Sequence, residues 1–527
     1  MRLHSRLLAP RDAEAAPAPL PRGLCIALAL ALGAAAPAAC GSSTETTPSS
    51  TGSGGGSTGS EGSAGGSKSS TGSDGTGGGP TADAGPVVSP GLTKVGTGEY
   101  ETFFLVDGVV YGYGASELLL GQGDYHGSCI PPHPIATPPG LKFVDVQGGL
   151  HQSMALDEKG HVWTWGQVDQ GLQGSGVAGG MGDGATPFQI TTDAAGKPFD
   201  HVIAIEPTAA FDVALKDDGT VWVWGNCAGG VTGDGKVSGI VAAPTKVPLP
   251  DGTKITKIAG SLQVVALASD GAVWTWGVAE NGYLGTGLTG ATDGYTPHKV
   301  AKLPANIVDI TVGFASFQYA LTSDGDLYGW GYRGAYLGLG DDNNNYQPTA
   351  TPVALKSVLN LPHPVVAVAA DHLTTHVILS DGTLWGWGDS AQGEVGNGQE
   401  LDYSKTATPY SWDYGNFELL IRKPVQIVPG VSNFVKMFTN SAYDFYVYAL
   451  TADGKLYSWG RNKTGVLGNG VYPRAANGNP GTSSNMAAIY PNSWDVPLAT
   501  LVTPMTAVPK GVNSPYCVAN PQAPSCF

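Results

Sequence analysis

Apolar and polar residues alternate in short runs along most of the chain, and each run ends at a turn. The clearest example starts at 258–260 (IAG), continues at 265–267 (VAL), turns at 270–271 (DG) and alternates again over 273–277 (VWTWG). A period of two places successive side chains on opposite faces of an extended chain. The pattern therefore predicts short antiparallel β-strands.

The same unit occurs seven times in the chain, each time marked by an aromatic residue followed by glycine. The pairs are Tyr113-Gly114, Trp165-Gly166, Trp224-Gly225, Trp276-Gly277, Trp330-Gly331, Trp387-Gly388 and Trp459-Gly460. Six units turn at Asp-Gly, and the other turns at Lys159-Gly160. Asp-Gly between alternating runs is typical of a two-residue hairpin in which both turn residues have positive φ. Self-similarity at about 50 residues is typical of a propeller or a solenoid.

The unit resembles the repeat of the regulator of chromosome condensation (RCC) family over about residues 90–515. The resemblance implies an all-β fold, a seven-bladed β-propeller with one blade for each aromatic-Gly pair. In that family the eukaryotic exchange factor acts on a small nuclear GTPase through one propeller face. Guanine-nucleotide exchange is therefore an alternative function that rests on the resemblance alone.

Apolar segments that begin with proline, at 297–300, 352–355 and 424–427, are predicted to be strands that precede the core hairpin of a unit. The element returns at 504–508, after the last Trp-Gly pair, whereas the first unit lacks a full copy before Val95. We therefore expect the C-terminal strand to join the N-terminal unit in one blade and so lock the ring.

Residues 1–40 have the features of an export signal. Four arginines precede an apolar run from Leu24 to about Ala36, and small residues then lead to Cys40. The run is shorter than the about 20 residues that span a bilayer, and its flanks are typical of a secretory signal. A cysteine in this place resembles the lipobox of bacterial lipoproteins, which implies a lipid on Cys40 and a position in the outer membrane or on the cell surface. Ordinary secretion, with Cys40 unmodified, remains the alternative.

Residues 41–90 are almost entirely Gly, Ser and Thr, so we predict a flexible coil that holds the propeller (91–515) away from a membrane. The chain has 27 basic and 43 acidic residues, a formal net charge of -16. Because nucleic-acid affinity comes from Lys and Arg that neutralise phosphates, nucleic acid is a disfavoured partner. Membrane contact is expected only through a lipid on Cys40.

The cysteine count of six is consistent with an oxidising compartment. Cys517 and Cys526 bracket the C-terminal tail (516–527), and we predict that they form a disulfide. Cys129 and Cys227 each follow an aromatic-Gly pair, but their units are not adjacent, so whether they pair stays open.

No catalytic, metal or cofactor site is predicted. His372 and His376 are four residues apart, which would form a metal pair on a helix, but the repeat places them on a strand. His151 is interpreted as a polar residue with satisfied hydrogen bonds near the inner strand of its blade. Residues 341–345 begin like a calcium loop, but Tyr346 stands where that loop needs Gly.

Ten of the twelve tryptophans lie in the repeat strands and are expected to pack within the propeller. The other two lie in the two longest insertions, about 399–423 and 461–500, which are rich in aromatic residues. The predicted binding face consists of Tyr403, Tyr410, Trp412, Tyr414, Tyr472, Tyr490 and Trp494. Both insertions follow the same hairpin strand in neighbouring units, so we expect them on one face, where loop aromatics could bind a partner. Mutual packing that holds the loops down is the alternative.

These observations favour an exported, surface-tethered, monomeric propeller that binds a protein or a glycan as a non-catalytic scaffold. A secreted inhibitor that blocks a target protein with one face is a second interpretation. A hydrolase or lyase is a third, although no convergent set of acid, base and nucleophile is recognisable in the sequence.

Lipidation of Cys40 can be tested by metabolic labelling with a fatty acid. We expect label on the wild-type protein and none on Cys40→Ser, because the thiol is the acylated group. An unlabelled wild type, or label that survives the substitution, would contradict the lipoprotein assignment.

Overall fold

The computed structural model is a seven-bladed β-propeller, as the repeats predict. It describes residues 91–99, 101–114, 119–123, 130–182, 184–279, 282–288, 290, 292–314, 317–331, 336–339, 349–399, 419–439, 445–462, 466–467 and 496–501. The predicted signal, linker and C-terminal tail, with Cys40, Cys517 and Cys526, lie outside these residues, as does Cys129. Within the described part of the chain, no helix has the length and apolar character needed to cross a membrane.

Each blade is an antiparallel sheet of four consecutive strands. The first strands are β1 (Leu92–Thr97), β5 (Phe143–Gly148), β9 (Val202–Pro207), β13 (Ile255–Gly260), β17 (Ile307–Gly313), β21 (Val365–Ala370) and β25 (Phe434–Phe438). The second strands are β2 (Glu101–Val106), β6 (Gln152–Asp157), β10 (Phe211–Lys216), β14 (Gln263–Ala268), β18 (Phe317–Thr322), β22 (Thr374–Leu379) and β26 (Tyr446–Thr451). The third strands are β3 (Val109–Gly114), β7 (Val162–Gly166), β11 (Val221–Asn226), β15 (Val273–Gly277), β19 (Leu327–Gly331), β23 (Leu384–Asp389) and β27 (Leu456–Gly460). The fourth strands are β4 (Ile130–Pro134), β8 (Phe188–Gln189), β12 (Ile240–Lys246), β16 (His298–Lys299), β20 (Thr349–Ala354), β24 (Leu420–Ile427) and β28 (Val496–Leu501), and a short helix α1 (Lys356–Leu359) follows β20.

The first strands are the innermost ones. Each contacts the first strand of the next blade, and β25 contacts β1, so the seven strands encircle a central channel. The second, third and fourth strands follow outward in order. The propeller is therefore a closed ring in which each sheet has two neighbours.

The predicted closure of the ring by a shared blade is wrong. Among the described residues, blade 1 consists of β1 to β4, and Leu92–Thr97 supplies the innermost strand that the sequence pattern did not show. The segments that begin with proline and were expected to precede the hairpins contribute instead to the fourth strands of the preceding blades, as β24 shows with Pro424. Residues 504–508 lie outside the described residues. Within the described part of the chain, blades 7 and 1 meet by packing of side chains between two whole blades.

The predicted two-residue hairpins are also wrong in six blades. Only Asp107 combines with the glycine after it to give two positive φ angles, 50° and 78°. Elsewhere the loop has three residues, as in blade 3, where Gly219 N donates to Lys216 O and Lys216 N donates to Thr220 O. The carboxylate of Asp218 accepts the N–H of Thr220 at 2.9 Å, so Asp is favoured there without a positive φ. In each of these six loops only the glycine has a positive φ, as in a three-residue loop that ends in a bulge.

Seven apolar clusters fill the seven gaps between neighbouring blades. The third-strand tryptophans are central to them, and Trp224, Trp276, Trp330, Trp387 and Trp459 are fully buried. This confirms that the repeat tryptophans pack within the propeller. Burying one such side chain stabilises the fold by about 2 to 3 kcal/mol.

Five of the third-strand indoles also tie their blades to the preceding ones by a hydrogen bond, namely those of Trp165, Trp224, Trp276, Trp387 and Trp459. Trp330 Nε1, by contrast, is buried without such a partner among the described residues. Trp224 Nε1 donates to Leu172 O at 3.1 Å, and Trp387 Nε1 donates to Tyr336 O at 2.9 Å. The accepting carbonyl lies two residues before a glycine that packs under the indole of the next blade. At Gly396, where φ is 80°, an added Cβ would come within 2.6 Å of the ring of Trp459. Glycine is therefore required by the backbone conformation and by the close approach of the ring.

Blade 1 meets blade 7 through a variation of the same device. Tyr113 takes the place of the tryptophan, and its hydroxyl donates to Val466 O of blade 7. The hydroxyl of Tyr446 donates to Glu101 O at 2.7 Å and accepts Gly98 N at 3.1 Å. Tyrosine hydroxyls from both blades thus replace the indole as the polar tie at the seam that closes the ring.

Replacing Tyr113 by Phe should weaken this seam. The change leaves Val466 O without one of its donors in a buried site, so we expect the free energy of unfolding to fall by about 1 to 2 kcal/mol. Urea unfolding followed by tryptophan fluorescence measures the change. Tyr111→Phe is the matched control, because Tyr111 lies on the same strand and is only half-buried. Equal stability of the Tyr113→Phe variant and the wild type would contradict the role of this hydroxyl.

Candidate functional site

The propeller has two distinct faces. The hairpin face carries the turns between second and third strands, and the start of each first strand lies there, since Leu92 pairs with Val106 next to the turn at Asp107. The loop face carries the turns between first and second strands and the connections from third to fourth strands. The central channel joins the two faces.

The two longest connections open onto the loop face from neighbouring blades. They occupy 390–419, between β23 and β24, and 461–495, between β27 and β28. The predicted aromatic residues Tyr403, Tyr410, Trp412, Tyr414, Tyr472, Tyr490 and Trp494 lie outside the described residues. The insertions follow β23 and β27, in which Gly388 and Gly460 have equivalent pairing partners on the second strands of blades 6 and 7.

Aromatic rings form a layer beneath the loop face of blades 5, 6 and 7. His372 stacks on Phe314 with 5.3 Å between ring centroids, and its ring lies 4.2 Å from that of Phe445. The guanidinium of Arg461 lies 4.9 Å from the centre of Phe445. Burial, with a smaller effect of Arg461, lowers the pKa of His372 to about 3. Arg461, the first residue of the second insertion, therefore packs on Phe445, and the imidazole of His372, which contacts the same ring, is neutral.

His376 lies on β22, as the repeat predicts, but His372 lies in the turn before that strand, so the two histidines have different surroundings. Its ring packs edge-on against Trp459, and its Nε2 lies 3.4 Å from Val395 O. Burial lowers its pKa to about 4. Among the described residues, no group of three or more His, Cys, Asp or Glu is placed to hold a metal ion.

The interpretation of His151 as a fully satisfied polar residue is wrong for one atom. Its Nε2 is buried and has no hydrogen-bond partner among the described residues. Burial lowers the pKa of His151, and the nearby charge of Asp169 opposes that shift. The imidazole is therefore held neutral in the first turn of blade 2.

The thiol of Cys227 is free and buried, so it does not pair with Cys129. Burial, with a smaller effect of Asp212, raises the pKa of the thiol to about 12. The thiolate is the nucleophilic form of cysteine, so burial makes Cys227 a weak nucleophile at neutral pH.

Several carboxyl groups are buried near the loop-face end of the blades, among them Asp371 and Asp212. Asp371 accepts the N–H of Thr374 at 2.9 Å and its hydroxyl at 2.6 Å. Burial raises the pKa of Asp371 to about 7, and burial also raises the pKa of Asp212, which accepts a hydrogen bond from Gln152 Nε2. Both groups hold turns or strands together within the ring.

A cavity of about 170 Å³ lies in the central channel, with lining from the first strands or adjoining residues of blades 2 to 7. Its polar members include Gln147, Glu206, Lys257 and Thr311, and the rest of the lining is mostly aliphatic. Burial raises the pKa of Glu206 to about 7, while Lys94, a hydrogen bond from Gly260 N and Lys257 oppose the shift. The described lining contains no His, Cys or Ser, and its polar side chains are groups that could bind a ligand.

A family model described as the RCC1-like domain matches residues 109–489 of this chain. The chain belongs to the RCC1-like domain family. This agrees with the family that the repeats resemble and with the seven blades.

Curated relatives of this RCC1-like chain include the ultraviolet-B receptor UVR8 of Arabidopsis thaliana, with 28% identity over 337 residues. That match covers 63% of this chain and 68% of the receptor. Protein pim1 of Schizosaccharomyces pombe is 26% identical over 380 residues, which cover 68% of this chain and 67% of pim1. The E3 ubiquitin-protein ligase HERC2 of Homo sapiens is 29% identical over 361 residues, or 60% of this chain but only 7% of the ligase.

Solved structures agree with the fold. Yeast RCC1 (Prp20), in a complex with Kap60, has a TM-score of 0.56 at 21% identity, and the match covers 79% of this chain and 85% of that chain. Human WBSCR16 has a TM-score of 0.55 at 19% identity, with coverage of 67% and 85%. Both structures share the propeller fold with the present chain.

The carboxyl group of Glu206 should make stability depend on pH. Because its pKa is raised to about 7 in the folded state from 4.5, folding binds a proton between those values, and stability falls as pH rises through that window. Glu206→Gln removes this effect, so its melting temperature should rise relative to wild type by a few degrees between pH 4.5 and pH 8. Differential scanning calorimetry measures the difference, with Glu158→Gln on an exposed turn as the control. A difference that stays constant with pH would contradict the raised pKa.

Proposed function

We propose that this RCC1-like propeller is an exported, surface-tethered binding or scaffold module that presents the loop face of blades 6 and 7 to a protein or glycan partner. The observation that carries the proposal is the position of the two longest connections. They leave adjacent blades at equivalent places, and they contain the aromatic residues predicted to bind. Aromatic side chains on loops of a rigid scaffold supply large contact areas.

The point at which the chain enters the propeller supports the same orientation. Gly91 O accepts the N–H of Asp107, so residue 91 lies at the hairpin face. A linker over 41–90 would therefore join the propeller on the face opposite the insertions. With a lipid on Cys40, such a coil of about 50 residues would span about 40 Å on average. The insertions would then be free to face a partner.

The relatives support binding as the general activity. One solved structure is described as yeast RCC1 bound to Kap60, and another as Prp20p with its binding properties to Gsp1p and histones. UVR8 is named a receptor. For this chain we propose a non-catalytic role through contacts with a protein or a glycan.

The proposal can be tested with the full chain on its native cell surface. Partners are crosslinked and recovered with the wild type, with Trp412→Ala/Trp494→Ala, and with Val177→Ala/Met181→Ala as a control that removes two exposed apolar side chains from blade 2. We expect the tryptophan variant to lose at least nine-tenths of a partner that the control retains. Equal recovery with both variants would discard this binding face, and turnover of a hydrolase or lyase substrate by the purified chain would discard the non-catalytic role.

A further inference from the structure

A β-bulge interrupts every first strand at the same place. In all seven blades the pairing of first and second strands shifts between the first and third residues of the first strand. The bulge leaves the second residue out of the ladder at the hairpin-face mouth of the channel. The seven residues, called the mouth ring below, are Thr93, Val144, Ile203, Thr256, Val308, Val366 and Val435. All seven are β-branched.

The mouth ring is exposed and apolar. Its aliphatic members have closely similar exposed fractions: Val144 55%, Ile203 53%, Val308 53%, Val366 56% and Val435 55%. The two threonines donate their hydroxyls to second-strand carbonyls, Thr93 to Leu105 O and Thr256 to Leu267 O. Single exposed aliphatic residues are ordinary on protein surfaces. A ring of them around one opening forms a patch of the kind that marks an interaction site.

Contacts between the next residues of these strands link neighbouring blades just inside the ring at three of the seven blade junctions. Lys94 and Asp145 form an ion pair at 3.0 Å between blades 1 and 2, and Lys257 and Asp309 pair between blades 4 and 5. Lys436 Nζ donates to Thr93 O at 3.2 Å and links blade 7 to blade 1. The charged side chains just inside the mouth are thus largely engaged with one another. They leave the aliphatic groups as the outermost contact surface.

Carboxylates surround the mouth ring on the hairpin turns. Each blade contributes one exposed acid, and blade 3 contributes two: Asp107, Glu158, Asp217, Asp218, Asp270, Asp324, Asp381 and Asp453. A hydrogen bond from Thr383 lowers the pKa of Asp381, and one from Thr451 lowers the pKa of Asp453 to about 2. Lysines lie beside most of these turns, namely Lys142, Lys216, Lys246, Lys254, Lys356 and Lys455, but only Lys159 lies within a turn itself. An acidic rim around an apolar centre therefore faces solvent.

We propose that the hairpin-face mouth is a docking site for a basic protein segment that inserts an aliphatic or aromatic tip into the mouth ring. Lys and Arg on either side of the tip would meet the carboxylates of the turns. Protein interfaces commonly have an apolar centre and a rim of complementary charges. The acidic rim disfavours an anionic lipid surface, which basic residues attract. This site is distinct from the loop face and does not rest on the proposed function there.

The test uses the immobilised full chain and a displayed library of random twelve-residue peptides. Selection on the wild type is compared with selection on Val308→Asn/Val366→Asn/Val435→Asn. The matched control is Val177→Asn/Met181→Gln/Val237→Asn, because these side chains have similar exposure, 48%, 52% and 67%, outside the ring. A second ring variant, Val308→Thr/Val366→Thr/Val435→Thr, keeps the β-branched shape that Thr93 and Thr256 already have at equivalent positions, so it remains informative if the asparagine variant unfolds.

We expect enriched peptides to combine an aliphatic or aromatic core with flanking Lys or Arg, and their affinity should fall at least tenfold in the ring variants but not in the control. Asp270→Asn/Asp324→Asn/Asp381→Asn keeps an oxygen that can accept the turn N–H, and it should weaken binding and reduce its dependence on salt. Acidic peptides, no enrichment on the wild type, or equal losses in ring and control variants would overturn the proposal. Binding to phosphatidylcholine vesicles that depends on the ring, in place of peptide binding, would overturn it in favour of a lipid surface.

Discussion

Packing between blades is the interaction on which the rest of this structure depends. A four-stranded blade has two largely apolar faces, and only a neighbour on each side can remove both from water. The buried tryptophan, the carbonyl that accepts its indole N–H and the glycine beneath its ring form one device that recurs around the ring. Because each contact involves two blades, no blade is complete until the ring is closed, and the seam between blades 7 and 1 stabilises all the others.

The seam and the channel both show how small departures from the repeat adapt a closed ring. Tyr113 replaces tryptophan where the chain ends must meet, and its hydroxyl reaches the same kind of carbonyl acceptor as the indoles do. In each innermost strand the bulge changes which side chains point to the channel and which point between the blades from the third residue onward. Residues such as Glu206 then face the channel while Val144 and its equivalents stand at the mouth. Buried groups such as His372 and Cys227 are held neutral by desolvation, so they contribute to packing more than to chemistry.

The repeats predicted the number of blades and the burial of the tryptophans correctly because both follow from local periodicity. The hairpins were predicted wrongly, because Asp-Gly occurs in a two-residue loop and also in a three-residue loop. The carboxylate of Asp218 favours the second by accepting a backbone N–H. The closure was predicted wrongly because the segments with proline look alike whether they begin one blade or end another. The pairing of β23 with β24 is what assigns Pro424 to the outer edge of blade 6.

By itself, the sequence determined the strand pattern, the seven units and the residues that must be buried, since period-two alternation and turn chemistry act over a few neighbouring residues. The tertiary structure alone decided which strand is innermost, how the ends of the ring meet and which β-branched residues remain exposed. Val144 and Val146 are two residues apart in one strand with the same side chain, yet the first is 55% exposed and the second is buried. Only the bulge and the neighbouring blades distinguish them, because burial in a ring depends on contacts between blades that are about 50 residues apart in the chain.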